Sequence, residues 1–197
     1  MHEIDLKELQ SKIDVAVEWV LKSSYPVQEK VLIILLLRNG LRVSDICTPS
    51  NFRFINQYKA LLLSKKNNQW REVTTAEAYE LIEQYNLIDS LQYWQRNRFY
   101  YYRMLKGLIT DVETSRTGNT AVTHAARNIA AQSAFELTKS DEAAKIAIGN
   151  RSKSATKAYL TKGQKKASLK SGIIGDFTGV VGSVKSPKHK PKMQIIK

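Results

Sequence analysis

The sequence predicts a mainly α-helical fold that includes a small antiparallel β-hairpin or sheet. In several segments, apolar residues recur every three or four positions, which is typical of helices that bury one face. Between residues 58 and 75 the pattern changes to two β-prone arms around a turn-rich centre, which is typical of a hairpin. The chain has 197 residues, 43% of them hydrophobic, and is long enough to bury a sizeable core.

The first two helices are predicted within residues 5–40. A helix over about 5–22 has one apolar face, formed by Leu6, Leu9, Ile13, Ala16 and Val20. Ser24 and Pro26 favour the start of a second helix, and Asn39–Gly40 favours its end. The apolar run "VLIILLL" (31–37) is far shorter than the roughly 20 residues that span a bilayer. We therefore expect this run to form one side of a buried helix.

The remaining elements follow from similar local signals. The arms "ALLL" and "WREVTT" flank the turn "SKKNNQ" and predict the hairpin. Further helices are predicted over 75–86, over 90–109 and onward from Thr123 as an N-cap. Ser140, with acids directly after it, predicts the start of another helix. Tyr159 is expected on a short helix beyond that one.

The composition changes near residue 160. Residues 160–197 hold nine lysines and one aspartate, and so carry eight of the thirteen net positive charges. We therefore divide the chain into a folded domain, 1–160, and a basic tail, 161–197, that is mobile in isolation. The tail also has an apolar cluster within 171–183. That cluster predicts docking onto the same chain or a neighbouring one.

The overall charge points to a polyanion as the partner. The formal net charge is +13 and the sequence pI is about 9.8. Such an excess is typical of proteins that bind nucleic acid, and less often of those that bind an anionic membrane surface. Cys47 is the single cysteine, which excludes an intrachain disulfide and a cysteine-based metal site. The first residues lack the apolar stretch of a secretory signal, so we expect a cytoplasmic protein.

Three local patterns carry candidate chemistry. In "NGLRVSD", Arg42 follows a helix end on a turn that a buried helix would hold. In "THAARN", His124 and Arg127 are three residues apart, so they share one face of a helix. In "IGNRSKSATKAYL", a polar and basic stretch ends near Tyr159.

Taken together, these patterns strongly resemble the tyrosine recombinase (phage integrase) family. The family reads G-L-R-x-S-E/D, then a hairpin lysine, then H-x-L-R-H, and ends with L-G-H and T-x-x-Y. The corresponding residues here are Gly40 to Asp45, His124 to Asn128, Ile148-Gly149-Asn150, Thr156 and Tyr159. The resemblance covers about residues 1–160 and implies the tyrosine recombinase catalytic-domain fold, in a member without the family's usual preceding domain.

Two positions depart from the family pattern. Asn150 replaces the usual histidine or tryptophan, and Asn128 replaces the usual histidine after the second arginine. The change at position 150 puts one phosphate contact in doubt. An asparagine still offers an NH2 donor, so we expect a weaker form of that contact.

The resemblance implies a site-specific DNA recombinase that works through a 3′-phosphotyrosyl intermediate, without metal or cofactor. Fixed guanidiniums suit the spreading charge of a phosphodiester. Arg71 aligns with the basic end of the family's hairpin motif, and counting back from it favours Lys66 over Lys65 as the acid that protonates the leaving 5′-oxygen. Asp45 is expected to orient Arg42 or its helix. The implied catalytic set is Arg42, Lys66, His124, Arg127, Asn150 and Tyr159. Expected DNA contacts are Lys65, Arg151, Lys153 and Lys157.

The implied partners are double-stranded DNA with paired recognition sites, further copies of the chain in a tetrameric synapse, and an accessory DNA-bending or directionality protein. A membrane is not expected, and a prokaryotic, viral or mobile-element origin is. Two alternatives stay open: a recombinase-derived DNA-binding protein that does not cleave, and a type IB topoisomerase-like enzyme. An RNA-binding domain is disfavoured because no RNP-type aromatic motif is visible.

Overall fold

Helices dominate the structure, and a three-stranded antiparallel sheet lies between the third and fourth of them. The computed structural model describes residues 6–64, 66, 68–75, 77–105, 108 and 119–171. The elements are α1 (Leu6–Lys22), α2 (Val27–Asn39), α3 (Val43–Ile46), a 3-10 turn (Pro49–Asn51), β1 (Phe52–Asn56), β2 (Lys59–Ser64), β3 (Gln69–Thr74), α4 (Glu77–Gln84), α5 (Ile88–Leu91), α6 (Arg98–Leu105), α7 (Asn119–Thr138), α8 (Asp141–Ala147), α9 (Lys153–Lys157) and α10 (Lys162–Ser171).

Helix α2 lies at the centre of the main core. All seven side chains of 31–37 are at most 3% exposed. The sequence predicts one buried side, but the helix is enclosed all round because α1, α4 and α7 all pack on it. The predicted end at Gly40 is confirmed, since this residue adopts the left-handed conformation that favours glycine.

The predicted hairpin is confirmed and belongs to a sheet with strand order β1-β2-β3. Strands β2 and β3 pair antiparallel from Lys59 opposite Thr74 to Ser64 opposite Gln69. Strand β1 was not expected from the sequence. It is an edge strand with a single buried side chain, Phe52, so it lacks the alternation that identifies a half-buried strand.

The helix predicted over 90–109 is interrupted. Helices α5 and α6 are separated by residues 92–97, and the Asn97 side chain accepts a hydrogen bond from the Tyr100 N–H (3.0 Å), which caps a new helix. Arg96 and Tyr100 both donate to the carboxylate of Glu29, which is fully buried. The interruption thus depends on a partner about 70 residues away in the sequence. Helix α7 also differs, because it begins four residues before Thr123.

A second, smaller core lies near the carboxyl end of the described chain. We call it the C-terminal cluster: Ala131, Phe135, Ala144, Ile148 and Leu160, with Ala130 and Tyr159 packed against them. The predicted start of α8 is confirmed, because the Ser140 hydroxyl accepts hydrogen bonds from two N–H groups of its first turn. Tyr159 lies in a turn just beyond α9 rather than on a helix, and its N–H donates to Thr156 O (2.8 Å).

The segment treated as a tail from its composition begins with a helix. Helix α10 packs on α7 through Gln164, which is 3% exposed. Its amide donates to the Gln132 carbonyl (3.2 Å) and to the Glu136 carboxylate (2.7 Å). The apolar cluster within 171–183 and the lysines of 184–197 lie outside the described residues, apart from Ser171, and docking of this part stays a prediction.

Candidate active site

The site is built from two helix-ending turns that lie close together. Gly40 ends α2 with φ +53°, and Gly149 follows α8 with φ +59°. In both turns the next residue closes the helix: the Leu41 N–H donates to Leu36 O (3.1 Å), and the Asn150 N–H donates to Lys145 O (3.0 Å). Glycine adopts such positive φ values without the penalty that other residues incur.

Neither turn has room for a side chain at its glycine. A Cβ at Gly40 would lie 2.8 Å from the Cβ of Ala130, and one at Gly149 would lie 2.7 Å from Nη1 of Arg71. The first turn therefore packs directly on α7, and the second packs directly under an arginine. The residues that follow the glycines, Arg42 and Asn150, are positioned by these contacts.

Arg127 joins the two turns from inside. Its Nη1 donates to Gly40 O (2.7 Å), its Nη2 donates to Ile148 O (2.8 Å), and the residue is 1% exposed. Burial and then the positive charge of Arg42 lower the pKa of Arg127, while Tyr159 and Asp45 oppose that shift. The Arg127 side chain is thus part of the packed interior.

Arg42 is half-buried and directly precedes α3. Its backbone N–H donates to the Asp45 carboxylate (3.0 Å), and this contact agrees with the expectation that Asp45 orients Arg42 or its helix. Asp45 is 1% exposed and also accepts from the Ser64 hydroxyl (3.4 Å) of β2. The Arg42 guanidinium donates through Nη2 to Oδ1 of Asn150 (2.7 Å). The first and third sequence patterns thus meet at this hydrogen bond.

Asn150 stands between the two arginines. Its Oδ1 accepts from Arg42 and, at 3.3 Å, from Nη2 of Arg127, while its Nδ2 donates to the Thr156 hydroxyl (3.4 Å). The NH2 group expected to face a phosphate therefore faces Thr156 instead. The reason is electrostatic, because two guanidiniums attract the carbonyl end of the amide.

His124 and Tyr159 complete the cluster. His124 lies one turn before Arg127 on α7, and its ring centroid is 5.6 Å from that of Tyr159. The Arg127 guanidinium carbon lies 5.2 Å from the Tyr159 ring centroid. Tyr159 is half-buried, and its backbone carbonyl accepts from the Gln132 amide (3.3 Å). The structure thus brings together five of the six expected catalytic residues, namely Arg42, His124, Arg127, Asn150 and Tyr159.

The expected lysines are placed differently. Lys66 is exposed in the β2–β3 connection, and Lys65 lies outside the described residues, so the choice between them stays a prediction. Lys153 and Lys157 lie 3.8 Å from Glu142 and Asp141 of α8, respectively. Arg151 is exposed beside them. Their contact with DNA stays a prediction.

Sequence reasoning did not include Arg71 in the site. Its Nη2 donates to Asn39 O (2.8 Å), and its side chain covers Gly149. Burial, followed by the charge of Arg127, lowers its pKa to about 10. One signal was available: alternation along β3 places Arg71 on the same face as Val73, which is the buried face of the strand.

Solved structures identify the fold. The structure is similar to the XerH site-specific recombinase bound to difH substrate in a pre-cleavage complex (TM-score 0.55, 14% identity, 88% of this chain and 55% of that chain). It is also similar to XerH in a post-cleavage complex with palindromic difH (0.54, 15%, 83% and 51%) and to the XerA recombinase (0.53, 15%, 89% and 66%). The fold is that of the tyrosine recombinase catalytic domain.

The predicted fold is therefore confirmed. This chain spans between about half and two thirds of the length of those recombinase chains. No protein-family model and no curated protein matches the sequence. Within the described part of the chain, no helix has the length and apolar character to cross a bilayer. Nor do the described residues include a group of three metal-ligating side chains.

Proposed function

We propose that the protein is a site-specific DNA recombinase in which Tyr159 forms a 3′-phosphotyrosyl link with DNA. The observation that supports this function is the convergence of Arg42, Arg127 and Tyr159. They come from three distant segments, yet both arginines donate to one atom, Oδ1 of Asn150, and Arg127 also lies 5.2 Å from the tyrosine ring. A DNA-binding surface alone would not require a tyrosine beside two inward-facing guanidiniums.

In the proposed reaction, the Asn150 oxygen marks the position of a non-bridging phosphate oxygen. It accepts from both arginines, as a phosphate oxygen would, and a phosphate arriving there would displace it. The amide would then be able to rotate and present its NH2 group to the phosphate. Arg42 and Arg127 would stabilise the charge that spreads over the phosphorane oxygens.

The bonds and protons balance without a cofactor. The Tyr159 oxygen forms a bond to phosphorus, and the bond from phosphorus to the 5′-oxygen breaks. The Tyr159 hydroxyl gives up its proton as it attacks, and His124 is the neighbouring base that accepts it. Lys66, in the connection between β2 and β3, gives a proton to the leaving 5′-oxygen. Attack by a different 5′-hydroxyl reverses these steps and joins new strands.

The same proposal covers the partners. The solved XerH structures are complexes with difH DNA, which supports double-stranded DNA as the substrate class here. Strand exchange between paired sites needs several protomers, so we include a tetrameric synapse on DNA, with an accessory DNA-bending or directionality protein. Docking of the tail onto a neighbouring protomer belongs to this proposal.

The decisive experiment traps the covalent intermediate. A nicked duplex made from the DNA that flanks the gene would be mixed with the protein, and an adduct that survives SDS is expected. Tyr159→Phe should bind the same duplex and give no adduct. Tyr85→Phe is the matched control. Tyr85 is 50% exposed on the turn after α4, so this variant should cleave DNA at the wild-type rate.

Each other outcome identifies a different function. An adduct with Tyr159→Phe would show that another residue is the nucleophile. Binding without an adduct by the wild-type protein would favour a DNA-binding protein that does not cleave. Relaxation of a single plasmid without exchange between two sites would favour the type IB topoisomerase-like alternative.

A further inference from the structure

Arg71 is a cation on the buried face of a strand. It lies opposite Leu62 in the sheet and on the same face as Val73, which are 0% and 2% exposed. Trp70, its neighbour on the opposite face, is 43% exposed. A charged side chain is rarely turned inward in this way unless it has a partner there. The surroundings of Arg71 therefore need an explanation beyond packing.

The side chain of Arg71 touches both glycine turns of the candidate site. Its Nη2 donates to Asn39 O (2.8 Å) beside Gly40, and its Nη1 and Cδ lie so close to Gly149 that a Cβ there would force the Arg71 side chain to move. Arg127 joins the same two turns through Gly40 O and Ile148 O. Two arginines thus cross one gap side by side, although they carry the same charge.

The acceptor of Arg71 is itself held firmly. The Asn39 amide donates to Leu35 O (3.0 Å) and to Thr74 O (2.8 Å), and its Oδ1 accepts from the Thr74 N–H (2.8 Å). These bonds attach the end of α2 to β3. Because Arg71 starts from the same strand, its guanidinium can move little relative to the turn that precedes Arg42.

The charge balance around Arg71 favours an anion. Burial, and then the guanidiniums of Arg127 and Arg42, lower the pKa of Arg71, while the Asp45 carboxylate opposes that shift. Among the described residues that shift this pKa, three arginines, counting Arg71 itself, therefore share one carboxylate in a mostly buried volume. A methionine of similar length would pack there without this repulsion, and buried charges are often replaced by apolar residues without loss of stability. A phosphate would relieve the repulsion among these guanidiniums.

We propose that Arg71 is a positioning residue of the phosphate site. It holds the Gly149–Asn150 turn against the Asn39–Gly40 turn so that Arg42 and Arg127 reach one phosphate, and it contributes a third positive charge behind them. The inference rests on the proposed function, since it assumes that the anion is the DNA phosphate.

The first test uses inorganic phosphate as the probe, which requires no DNA and no cleavage. Binding would be followed by NMR of the arginine side chains. Arg71→Met should weaken phosphate binding by on the order of tenfold, the effect of losing one charge-stabilised interaction. Arg71→Lys, which keeps the charge, should weaken it less. Arg53→Met is the matched control: Arg53 is an exposed arginine of β1, stacked 4.6 Å above the Trp70 ring, and its loss should leave phosphate binding unchanged.

The second test uses the trapped adduct and separates positioning from binding. With saturating protein, Arg71→Met should slow adduct formation by on the order of tenfold while duplex affinity changes less than about threefold. Gly149→Ala should slow it strongly in the wild-type background, because the new methyl group displaces Arg71. In an Arg71→Ala background the same glycine change should slow it less, because only the cost of placing alanine at the positive φ of position 149 then remains. Thermal melting would show that each variant is folded.

Several results would overturn the inference. One is an Arg71→Met variant that equals the wild type in phosphate affinity and in cleavage rate. Another is an equal loss of both in Arg71→Lys and Arg71→Met, with losses that follow their melting temperatures, which would make Arg71 only a structural link. If phosphate binding depends on Arg71 but no duplex ever yields an adduct, the inference holds and the proposed cleavage fails.

Discussion

The main core and the C-terminal cluster support different parts of the candidate site. The main core encloses α2 on all sides and ends directly at the turn before Arg42. The C-terminal cluster has five buried residues, and Tyr159 packs at its edge. Helix α7 takes part in both, with Ile129 in the main core and Phe135 in the cluster. The two candidate arginines are thus attached to an extensive frame, whereas Tyr159, the proposed nucleophile, is attached to a small one.

This difference suits the proposed reaction. A guanidinium stabilises a transition state best when it is already in place, so it benefits from a rigid support. A nucleophile that attacks and is later released has to change position relative to the phosphate. Regions with few buried apolar contacts open at lower free energy than the main core does. We therefore expect mutations in the main core and in the C-terminal cluster to change stability and cleavage rate in different ways.

The largest expected effect concerns the two arginines. Arg42→Ala and Arg127→Ala should each slow adduct formation by on the order of 100-fold, because each removes a donor to the developing charge. Arg127→Ala should also lower the free energy of unfolding by roughly 2–4 kcal/mol, because it leaves the carbonyls of Gly40 and Ile148 without a donor in the interior. For half-buried Arg42 the loss should stay below about 1 kcal/mol.

Two measurements on both variants check this prediction: the free energy of unfolding from urea denaturation, and the rate of adduct formation. Equal stability of the two variants would contradict the distinction between a buried arginine that joins two turns and one that begins a short helix.

The next effect compares the two cores directly. Leu35→Ala, within the enclosed helix α2, should reduce the global free energy of unfolding by about 3–5 kcal/mol. Leu160→Ala, at the edge of the C-terminal cluster, should cost about 2 kcal/mol, since a small cluster at the surface can relax into the space. Hydrogen exchange should speed up mainly in α9 and α10 for the second variant and throughout the chain for the first. Uniform exchange in both variants would mean that the cores unfold as one unit.

The smallest expected effect is the pH dependence of an ion-pair group at the surface of the helices that form the main core. Arg38 of α2 pairs with Asp14 of α1 and with Glu77 of α4. The hydrogen bond from Arg38 lowers the pKa of Asp14 below its ordinary 3.8. A lowered carboxyl pKa stabilises the folded state above the ordinary pKa, and this contribution is lost as the pH falls through the folded value.

Asp14→Asn should therefore reduce the free energy of unfolding at pH 7 by at most about 1 kcal/mol, because the Asp14 carboxylate is half exposed to solvent. The difference from the wild type should shrink as the pH falls through the folded-state pKa of Asp14, where the wild-type carboxyl also becomes protonated. Thermal melts over a series of decreasing pH values measure it. A difference that persists in acid would assign the effect to packing rather than to charge.

The local elements could be predicted from the sequence because their causes are local. The limits of α2, the hairpin of β2 and β3 and the Ser140 cap depend on periodicity, turn residues and hydrogen bonds within a few positions. The resemblance of the three motifs to the tyrosine recombinase family also indicated which side chains would meet. Strand β1 was missed, because a single buried side chain leaves no periodic signal.

Tertiary structure alone decided what surrounds each charge. Arg127 donates to a carbonyl 87 residues away, and the Asn150 amide turns its oxygen toward Arg42, 108 residues away. Arg71 becomes part of the site only because the turn after α8 packs against β3. Burial of a charge depends on every element that packs around it, and such contacts between distant residues leave no trace in local sequence patterns. The sequence by itself therefore determined which residues carry the candidate chemistry, and packing decided which of them are buried, paired and held in place.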